Sequence, residues 1–380
     1  MMFWGNGTTK FHQEFRSNCK CYFGTVPYLQ MTQFIMMTCQ CGTERFLKQE
    51  ILERYHDLRA AFSRPGFVTF KASPDWNAKR VGKIRSIFAR YKGLSLGRFP
   101  CDDENLANKA VWEISDGLRV DRVHVFPRDL AVPGTNDFEP HIDRKCIEIQ
   151  NQLYHTCPYR KKLANGANDA LCPAERKEVV LDVVSVSPSE WYIGYHIADG
   201  WRSCQPGGIV NLQRPFDAVS RAYLKFEEGL RWSGMPVGVG SHWLDIGAAP
   251  GGASQALLAR GAEVIGVDPA EISPVLSNHP NFRHLRGRLK QLKRSHFRKV
   301  CWVVADMNVA PNCTLDVLED FVSQQENNIQ GLLLTLKLLK WDLIADIPDY
   351  VQRIKSWGYA QIAIAQMQFN RREIMVAVRR

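Results

Sequence analysis

The pattern of hydrophobic and polar residues changes along the chain. After about residue 215, short apolar runs alternate with segments whose apolar residues recur at helical spacing, a pattern that predicts parallel strands joined by helices. Strands are predicted at 241–246, 263–267, 300–305, 332–336, 360–365 and 374–378. Helices are predicted at 253–260, 315–325 and 345–357. Residues 215–380 are therefore expected to form a doubly wound α/β domain.

The last two predicted strands are joined only by residues 366–372, a polar link too short for a crossover helix. Parallel neighbours need a crossover of a dozen or more residues, so these two strands are expected to pair as an antiparallel hairpin. The expected fold is thus a Rossmann-like sheet that ends in an antiparallel hairpin.

The region before residue 205 has a weaker, mixed pattern. Helices are predicted at 44–59 and 83–91, strands at 66–70, 179–186 and 191–196, and the last two strands suggest a hairpin. Residues 118–126 fit either element, so residues 33–205 are expected to form an α+β region. Gly207, Gly208 and Pro215 place the domain boundary near 205–215. Residues 1–32 show no period and are either a leader of uncertain order or an upstream extension.

Charge and cysteine content narrow the class of protein. Lys and Arg total 49 against 39 Asp and Glu, and this net charge of +10 favours polyanionic partners, although charge alone fits other basic proteins equally well. No apolar run reaches ~20 residues, and no signal peptide is evident, so a cytoplasmic protein without membrane contact is expected. Eleven scattered cysteines fit a reducing compartment. The two C-x-C pairs lack the usual zinc spacing, so no metal site is expected there (Cys19, Cys21, Cys39 and Cys41).

The most specific motif is a glycine loop between a predicted strand and a predicted helix, with the sequence Asp245-Ile246-Gly247-Ala248-Ala249-Pro250-Gly251-Gly252. Glycines let the backbone approach a ligand closely. Asp268, at the end of the next strand, is placed to accept the ribose hydroxyls of a bound nucleoside. The loop lacks the G-x-G-x-x-G spacing of dinucleotide enzymes, which favours S-adenosyl-L-methionine over NAD and over a purely structural turn.

This loop resembles motif I of the FtsJ-type ribose 2′-O-methyltransferases, which carry a Lys-Asp-Lys-Glu tetrad and a class I methyltransferase fold. Lys225 lies ahead of the first strand, within residues 220–228, where the family has its first lysine. Asp306, Lys337 and Glu373 match the other three positions at strand ends. Taken singly, each of these residues could be an ordinary surface charge. Their order at strand ends is what carries the resemblance.

The resemblance implies transfer of a methyl group to a ribose hydroxyl, with Lys337 as the base. A lysine can act as a base only if its pKa falls, and we expect partial burial and the second ammonium, Lys225, to lower it. Asp306 and Glu373 are expected to orient the two amines, and Asp306 also to lie near the cofactor. Asp245 and the backbone of the glycine loop are expected to hold the methionyl end.

Other methylation chemistries are disfavoured. Asp306-Met307-Asn308-Val309 is not the D/N-P-P-Y/F segment of amino-group methylation, and no Pro-Cys follows that strand, as cytosine C5 chemistry requires. Residues 286–288, Arg-Gly-Arg, replace the acid that often meets the adenine amino group, so backbone is expected to make that contact and no residue is assigned.

Residues 283–299 contain eight Lys and Arg and no acid, with aromatic residues interleaved. The run favours contact with RNA phosphates, and a solvated helix face is the alternative. Within the FtsJ-type family the chain is most similar to the cytidine 2′-O-methyltransferases of large-subunit (23S) ribosomal RNA. That similarity implies an RNA-binding, THUMP-like N-terminal region. The same chemistry on tRNA or another RNA, and a non-catalytic RNA-binding protein with this fold, remain alternatives.

Overall fold

Each half of the chain forms a seven-stranded sheet in the computed structural model, which describes residues 33–158, 163, 169, 171–323 and 329–380. The predicted leader, residues 1–32, lies outside the described residues. No helix in the described part of the chain combines the length and the apolar character needed to cross a bilayer.

The N-terminal sheet has the strand order β2-β3-β1-β4-β7-β6-β5. Its strands are β1 (Gln33–Thr38), β2 (Arg59–Arg64), β3 (Phe67–Ala72), β4 (Tyr91–Pro100), β5 (Arg122–Pro127), β6 (Val179–Ser187) and β7 (Glu190–Ile197). Its helices are α1 (Glu44–Arg54), α2 (Ala78–Gly82), α3 (Glu104–Ile114) and α4 (Arg144–Thr156). All neighbouring strands are antiparallel except β5 and β6, which are parallel.

Two predictions for this half are wrong. The helix expected at 83–91 does not form, because the Glu50 carboxylate accepts the backbone N–H of Ile87 at 2.8 Å and the Ser86 hydroxyl at 2.7 Å. These tertiary contacts hold the segment in an irregular conformation, and Tyr91 then opens β4. The first helix ends at Arg54 instead of residue 59, and β2 follows as an almost fully exposed edge strand without apolar alternation.

The C-terminal sheet has the order β10-β9-β8-β11-β12-β14-β13. Its strands are β8 (His242–Ile246), β9 (Glu263–Asp268), β10 (Phe282–Arg286), β11 (Trp302–Ala305), β12 (Gly331–Lys337), β13 (Gln361–Ala365) and β14 (Glu373–Arg379). Strands β8 to β12 are parallel, and β14 runs antiparallel to both β12 and β13. The chain order reverses between β8 and β11, and ligands bind outside the carboxyl ends of strands at such a point.

Helices cover both faces of this sheet, so its strands are apolar on both sides. The helices are α5 (Ala222–Ser233), α6 (Gly252–Leu258), α7 (Pro274–Ser277), α8 (Pro311–Ser323) and α9 (Ile347–Ser356). In β12, Leu332 and Leu334 face one core and Leu333 faces the other, all fully buried. Burial of each such leucine side chain stabilises the folded state by roughly 1.5–3 kcal/mol. This two-sided burial explains the continuous apolar run that predicted the strand.

The turn between β13 and β14, residues 366–372, contacts the N-terminal half. The backbone N–H of Gln366 donates to the carbonyl of Ile87 at 2.8 Å. The side chain of Gln40 donates to the carbonyl of Arg371 at 3.2 Å. Loops of the N-terminal half therefore contact the segment that leads directly into β14.

Candidate active site

The four residues predicted to form a tetrad come together at the carboxyl ends of the parallel strands of the C-terminal sheet. Asp306 directly follows β11, and Lys337 ends the parallel strand β12, so both lie at carboxyl ends. Glu373 opens the antiparallel strand β14 and pairs in register with Lys337. Lys225 reaches the same edge from α5.

Their charged groups alternate in a closed ring. The Lys225 ammonium lies 2.8 Å from the Asp306 carboxylate and 2.8 Å from the Glu373 carboxylate. The Lys337 ammonium lies 2.8 Å from the other Asp306 oxygen and also contacts Glu373. Lys337 is the most accessible member, with 17% of its side chain exposed against 9% for Lys225. Lys337 thus offers the largest exposed fraction of the four side chains to a substrate.

The ring raises the pKa of Lys337. Burial lowers this pKa, but Asp306 and Glu373 raise it by more, so the pKa lies above its ordinary value. Burial raises the pKa of Asp306, but Lys225 and Lys337 outweigh burial and hold the pKa below its usual range. The expectation that Lys225 depresses the pKa of Lys337 is therefore wrong for this structure. Each ammonium contacts two carboxylates, and their attraction exceeds the repulsion between the amines.

The glycine loop lies beside this ring, and its residues fit an adenosylmethionine-type ligand. Gly247 has φ +79°, and a Cβ there would lie 3.1 Å from Met307 and 3.4 Å from the carbonyl oxygen of Asp306. Asp245 is fully buried, and its carboxylate accepts the Ser254 hydroxyl at 2.7 Å. The other Asp245 oxygen has no partner among the described residues. Burial is the largest cause that raises the pKa of Asp245 to about 7.

Several loop amides are already used within the protein. Gly247 and Ala248 donate to the carbonyl of Val267 at 3.0 and 3.3 Å. Ala249 donates to one oxygen of Asp268 at 3.1 Å, and Ala270 donates to the other at 2.7 Å. The amides of the first half of the loop therefore shape the loop instead of facing a ligand. The ribose contact predicted for Asp268 remains a prediction and would use its remaining lone pairs.

One neighbour of the ring was not anticipated from sequence. The fully buried Asn370 donates to the Glu373 carboxylate at 3.3 Å, and its side-chain oxygen accepts the backbone N–H of Met367 at 2.8 Å. An asparagine in a short polar link is typical of any turn. Its sequence position therefore gave no signal that it contacts a carboxylate of the ring.

The basic run 283–299 forms the outer strand β10 and two short 3-10 turns, Leu289–Gln291 and Arg294–Phe297, instead of a helix. All eight of its Lys and Arg are exposed, and we call them the basic ledge. Arg286 pairs with Glu271 at 3.3 Å and Lys290 with Asp320 at 2.5 Å. Because β10 is an outermost strand of the sheet, the ledge borders the edge farthest from β13.

No group of three or more His, Cys, Asp and Glu residues in the described ranges is arranged to hold a metal ion. Cys39 and Cys41 are free thiols, and burial is the largest cause that raises the pKa of each. The other C-x-C pair, Cys19 and Cys21, lies outside the described residues.

A parallel sheet that takes up one antiparallel strand, with a glycine loop where the strand order reverses, defines the class of S-adenosylmethionine-dependent methyltransferases. Residues 218–347 match the family model described as FtsJ-like methyltransferase. Residues 218–347 are therefore similar to FtsJ-like methyltransferases, as the motifs predicted.

Curated relatives extend the match into the N-terminal half. Ribosomal RNA large subunit methyltransferase M (RlmM) of Pectobacterium atrosepticum is 25% identical over 374 residues, which cover 91% of this chain and 96% of that protein. The protein of the same name from Halorhodospira halophila is 28% identical over 193 residues, 50% of this chain and 54% of that protein. The chain thus spans about half the length of some relatives and nearly all of others. TrmN from Thermus thermophilus superposes over 92% of this chain and 100% of its own at 15% identity, but the TM-score of 0.35 carries no inference.

Proposed function

We propose that the protein transfers a methyl group from S-adenosyl-L-methionine to a ribose 2′-hydroxyl of RNA, at a cytidine of 23S ribosomal RNA. The observation that carries this proposal is the ring of Lys225, Asp306, Lys337 and Glu373 beside the glycine loop. The names of the curated relatives support the choice of large-subunit ribosomal RNA. Such a substrate fits the cytoplasmic location expected from the sequence.

The residues of the site divide between holding the cofactor and preparing the hydroxyl. When bound, the cofactor supplies an electrophilic methyl group on a sulfonium. Asp245 and the glycine loop would hold its methionyl end, and Asp268 its ribose. Asp306 belongs to both parts, because its backbone borders Gly247 and its carboxylate binds both lysines.

Lys337 would accept the proton of the attacking hydroxyl. Its ammonium must first lose a proton, and Asp306 and Glu373 oppose that loss by raising its pKa. Lys225 would keep the two carboxylates in place while Lys337 is neutral. The rate of methyl transfer is therefore expected to rise with pH across the neutral and mildly alkaline range.

RNA would be captured by the basic ledge and by the N-terminal, THUMP-like region. Exposed Lys and Arg bind phosphates through counterion release and without sequence specificity. The cytidine itself would be selected by contacts nearer the ring. This arrangement separates capture of the RNA backbone from recognition of the nucleotide.

The test is transfer of radiolabelled methyl groups to unmodified ribosomal RNA and to tRNA, by wild type and by Lys337→Ala. We expect alkali-resistant 2′-O-methyl dinucleotides from ribosomal RNA, and a loss of about 100- to 10,000-fold in the variant. Lys340→Ala, which removes an exposed lysine three residues away, is the matched control and should retain activity.

Label that persists in Lys337→Ala would exclude Lys337 as the base. Label in tRNA alone would favour the same chemistry on another RNA. RNA binding without label in any RNA would favour a non-catalytic RNA-binding protein that retains the fold.

A further inference from the structure

The side chain of Gln368, in the turn between β13 and β14, ties the N-terminal half to the catalytic domain. Its amide nitrogen donates to the carbonyl of Pro140 at 2.8 Å and to that of Val210 at 3.3 Å. Its amide oxygen accepts the backbone N–H of Val210 at 2.6 Å. Gln368 is 2% exposed, so water does not compete for these three hydrogen bonds. The turn is thus anchored on the loop before α4 and on the segment that links the two sheets.

Glu228 holds the backbone of the same turn from the catalytic side. Its carboxylate accepts the backbone N–H of Gln368 at 2.9 Å and that of Phe369 at 3.2 Å. Glu228 lies three residues after Lys225 on α5, so both side chains project from one face of the helix. One helix therefore places a lysine of the ring and also fixes the turn that precedes Glu373.

A buried carboxylate needs such partners. Glu228 is 1% exposed, and burial raises its pKa, while Arg202, the two turn amides and Arg90 act in the opposite direction. An uncompensated buried acid costs several kcal/mol. A simple link between two strands does not require a buried charge, whereas this turn is held by one despite its free-energy cost.

The turn also passes directly to the ring. Asn370 joins the two, because it accepts the N–H of Met367 within the turn and donates to the carboxylate of Glu373. Displacement of the turn would therefore move the Glu373 carboxylate relative to Lys225 and Lys337.

We propose that Gln368 and Glu228 are positioning residues, through which the seating of the N-terminal half sets the placement of the Glu373 carboxylate in the ring. The N-terminal half is then part of the catalytic apparatus as well as a surface for RNA. The consequence for turnover rests on the proposed methyl transfer, whereas the consequence for ring geometry does not.

The test variant is Gln368→Met, which keeps a similar volume and removes all three hydrogen bonds of the amide. A displacement of about 1 Å in a catalytic group can cost about 100-fold, so we expect kcat to fall about 10- to 100-fold. KM for S-adenosylmethionine should be unchanged, because no hydrogen bond among the described residues joins the glycine loop to this turn.

A second readout is the titration of the Lys337 ammonium, followed by NMR of protein with 15N-labelled lysine side chains and assigned with Lys337→Arg. Lys225, Asp306 and Glu373 are the charged groups that face Lys337 in the ring. If Glu373 recedes, the pKa of Lys337 should fall below its wild-type value. This readout requires no RNA and no turnover.

Phe46→Leu is the matched control, because Phe46 packs on Trp341 across the same two halves, with ring centroids 5.0 Å apart, and does not touch the turn. It should lower the unfolding free energy without changing kcat or the pKa of Lys337. If Gln368→Met does not fold, Glu228→Gln replaces it, since one of the two turn amides then loses its acceptor.

Equal effects of the Gln368 and Phe46 variants at matched loss of stability would overturn the proposal, as would an unchanged Lys337 titration in a folded Gln368 variant. Should wild type methylate no RNA, the function proposed above fails, and the NMR titration still decides the positioning role.

Discussion

Both halves of the molecule bury charged side chains against a seven-stranded sheet, but they arrange those charges differently. In the N-terminal half, Arg90 and Asp129 form a pair with two parallel hydrogen bonds of 2.5 and 2.8 Å, and their side chains are 5% and 2% exposed. In the catalytic half, four groups share a ring at the sheet edge, where Lys337 remains 17% exposed.

The N-terminal half also contains a chain of hydrogen bonds that resembles a catalytic relay. Asp182 accepts the hydroxyl of Tyr91 at 2.9 Å and lies 2.6 Å from Nδ1 of His196, whose Nε2 lies 2.7 Å from the carbonyl of Ser203. The side chains of Tyr91, Asp182 and His196 are all buried, with His196 at 4% exposure. The two arrangements therefore differ in the exposure of their members, and the ring leaves part of Lys337 open to a substrate.

The most direct test of this difference is to neutralise one carboxylate in the Arg90–Asp129 pair and one in the ring. Asp129→Asn should lower the unfolding free energy by about 3–5 kcal/mol, because the buried Arg90 loses the carboxylate to which it is hydrogen-bonded. Asp306→Asn should instead lower methyl transfer at least about 100-fold, since both lysines of the ring lose an oriented partner. Urea unfolding and methyl transfer, measured on both variants, check the two expectations.

Activity must be expressed per folded molecule in that experiment, below the unfolding transition of Asp129→Asn. If folded Asp129→Asn loses as much activity as Asp306→Asn, the Arg90–Asp129 pair also contributes to methyl transfer. The expected difference between the pair and the ring would then be wrong.

Asp245 is a buried carboxylate without a cation as partner. Its effect on the unfolding free energy should therefore differ from those of Asp129 and Asp306. Burial raises its pKa to about 7, above the ordinary value of 3.8, so the folded protein binds a proton that the unfolded chain releases between these values. The unfolding free energy should therefore fall as pH rises from about 4 to 7, by an amount on the order of 3 kcal/mol from this group. Asp245→Asn should lack this contribution.

Urea titrations at pH 5 and pH 8 on wild type and Asp245→Asn measure the difference. Identical pH dependence in both proteins would show that Asp245 is ionised in the folded state, contrary to its burial.

The charged side chains at positions 298 and 299 of the basic ledge are exposed, so they should affect neither folding nor chemistry. Changing Arg298 and Lys299 to Gln should make the dependence of log affinity for RNA on log salt less steep by about 1.4, the value for two lost contacts to single-stranded phosphates. The unfolding free energy and kcat at saturating RNA should remain at wild-type values. Filter binding at several salt concentrations gives the slope.

Lys355→Gln, an exposed lysine on α9 outside the ledge, is the control and should leave the slope unchanged. A slope equally altered by Lys355→Gln would assign the effect to net charge and not to the ledge.

The central strands of the C-terminal half could be predicted from sequence because they are buried on both faces. Their apolar runs stand out, and the residues that end them, such as Asp306 and Lys337, must then lie at one sheet edge. The segment 83–90 was misassigned because the buried Ile84 and Phe88 recur at helical spacing, whereas a distant carboxylate, Glu50, decides its backbone.

The electrostatics of the ring were harder to predict than its membership. Sequence places two lysines near each other and suggests repulsion, but only three-dimensional distances show that each ammonium contacts two carboxylates. The supporting contacts of Glu228 and Asn370 depend on how a short turn packs against another domain, and no local pattern encodes that packing.

The position of β14 has a consequence for how the protein is made on the ribosome. This strand lies between β12 and β13 in the sheet, although the chain reaches it after both. While the chain is emerging, β13 has no partner in the sheet, and the ring lacks Glu373. A nascent chain can therefore fold the N-terminal sheet and the first parallel strands early, yet its charge ring closes only when β14, from Glu373 to Arg379, has left the exit tunnel.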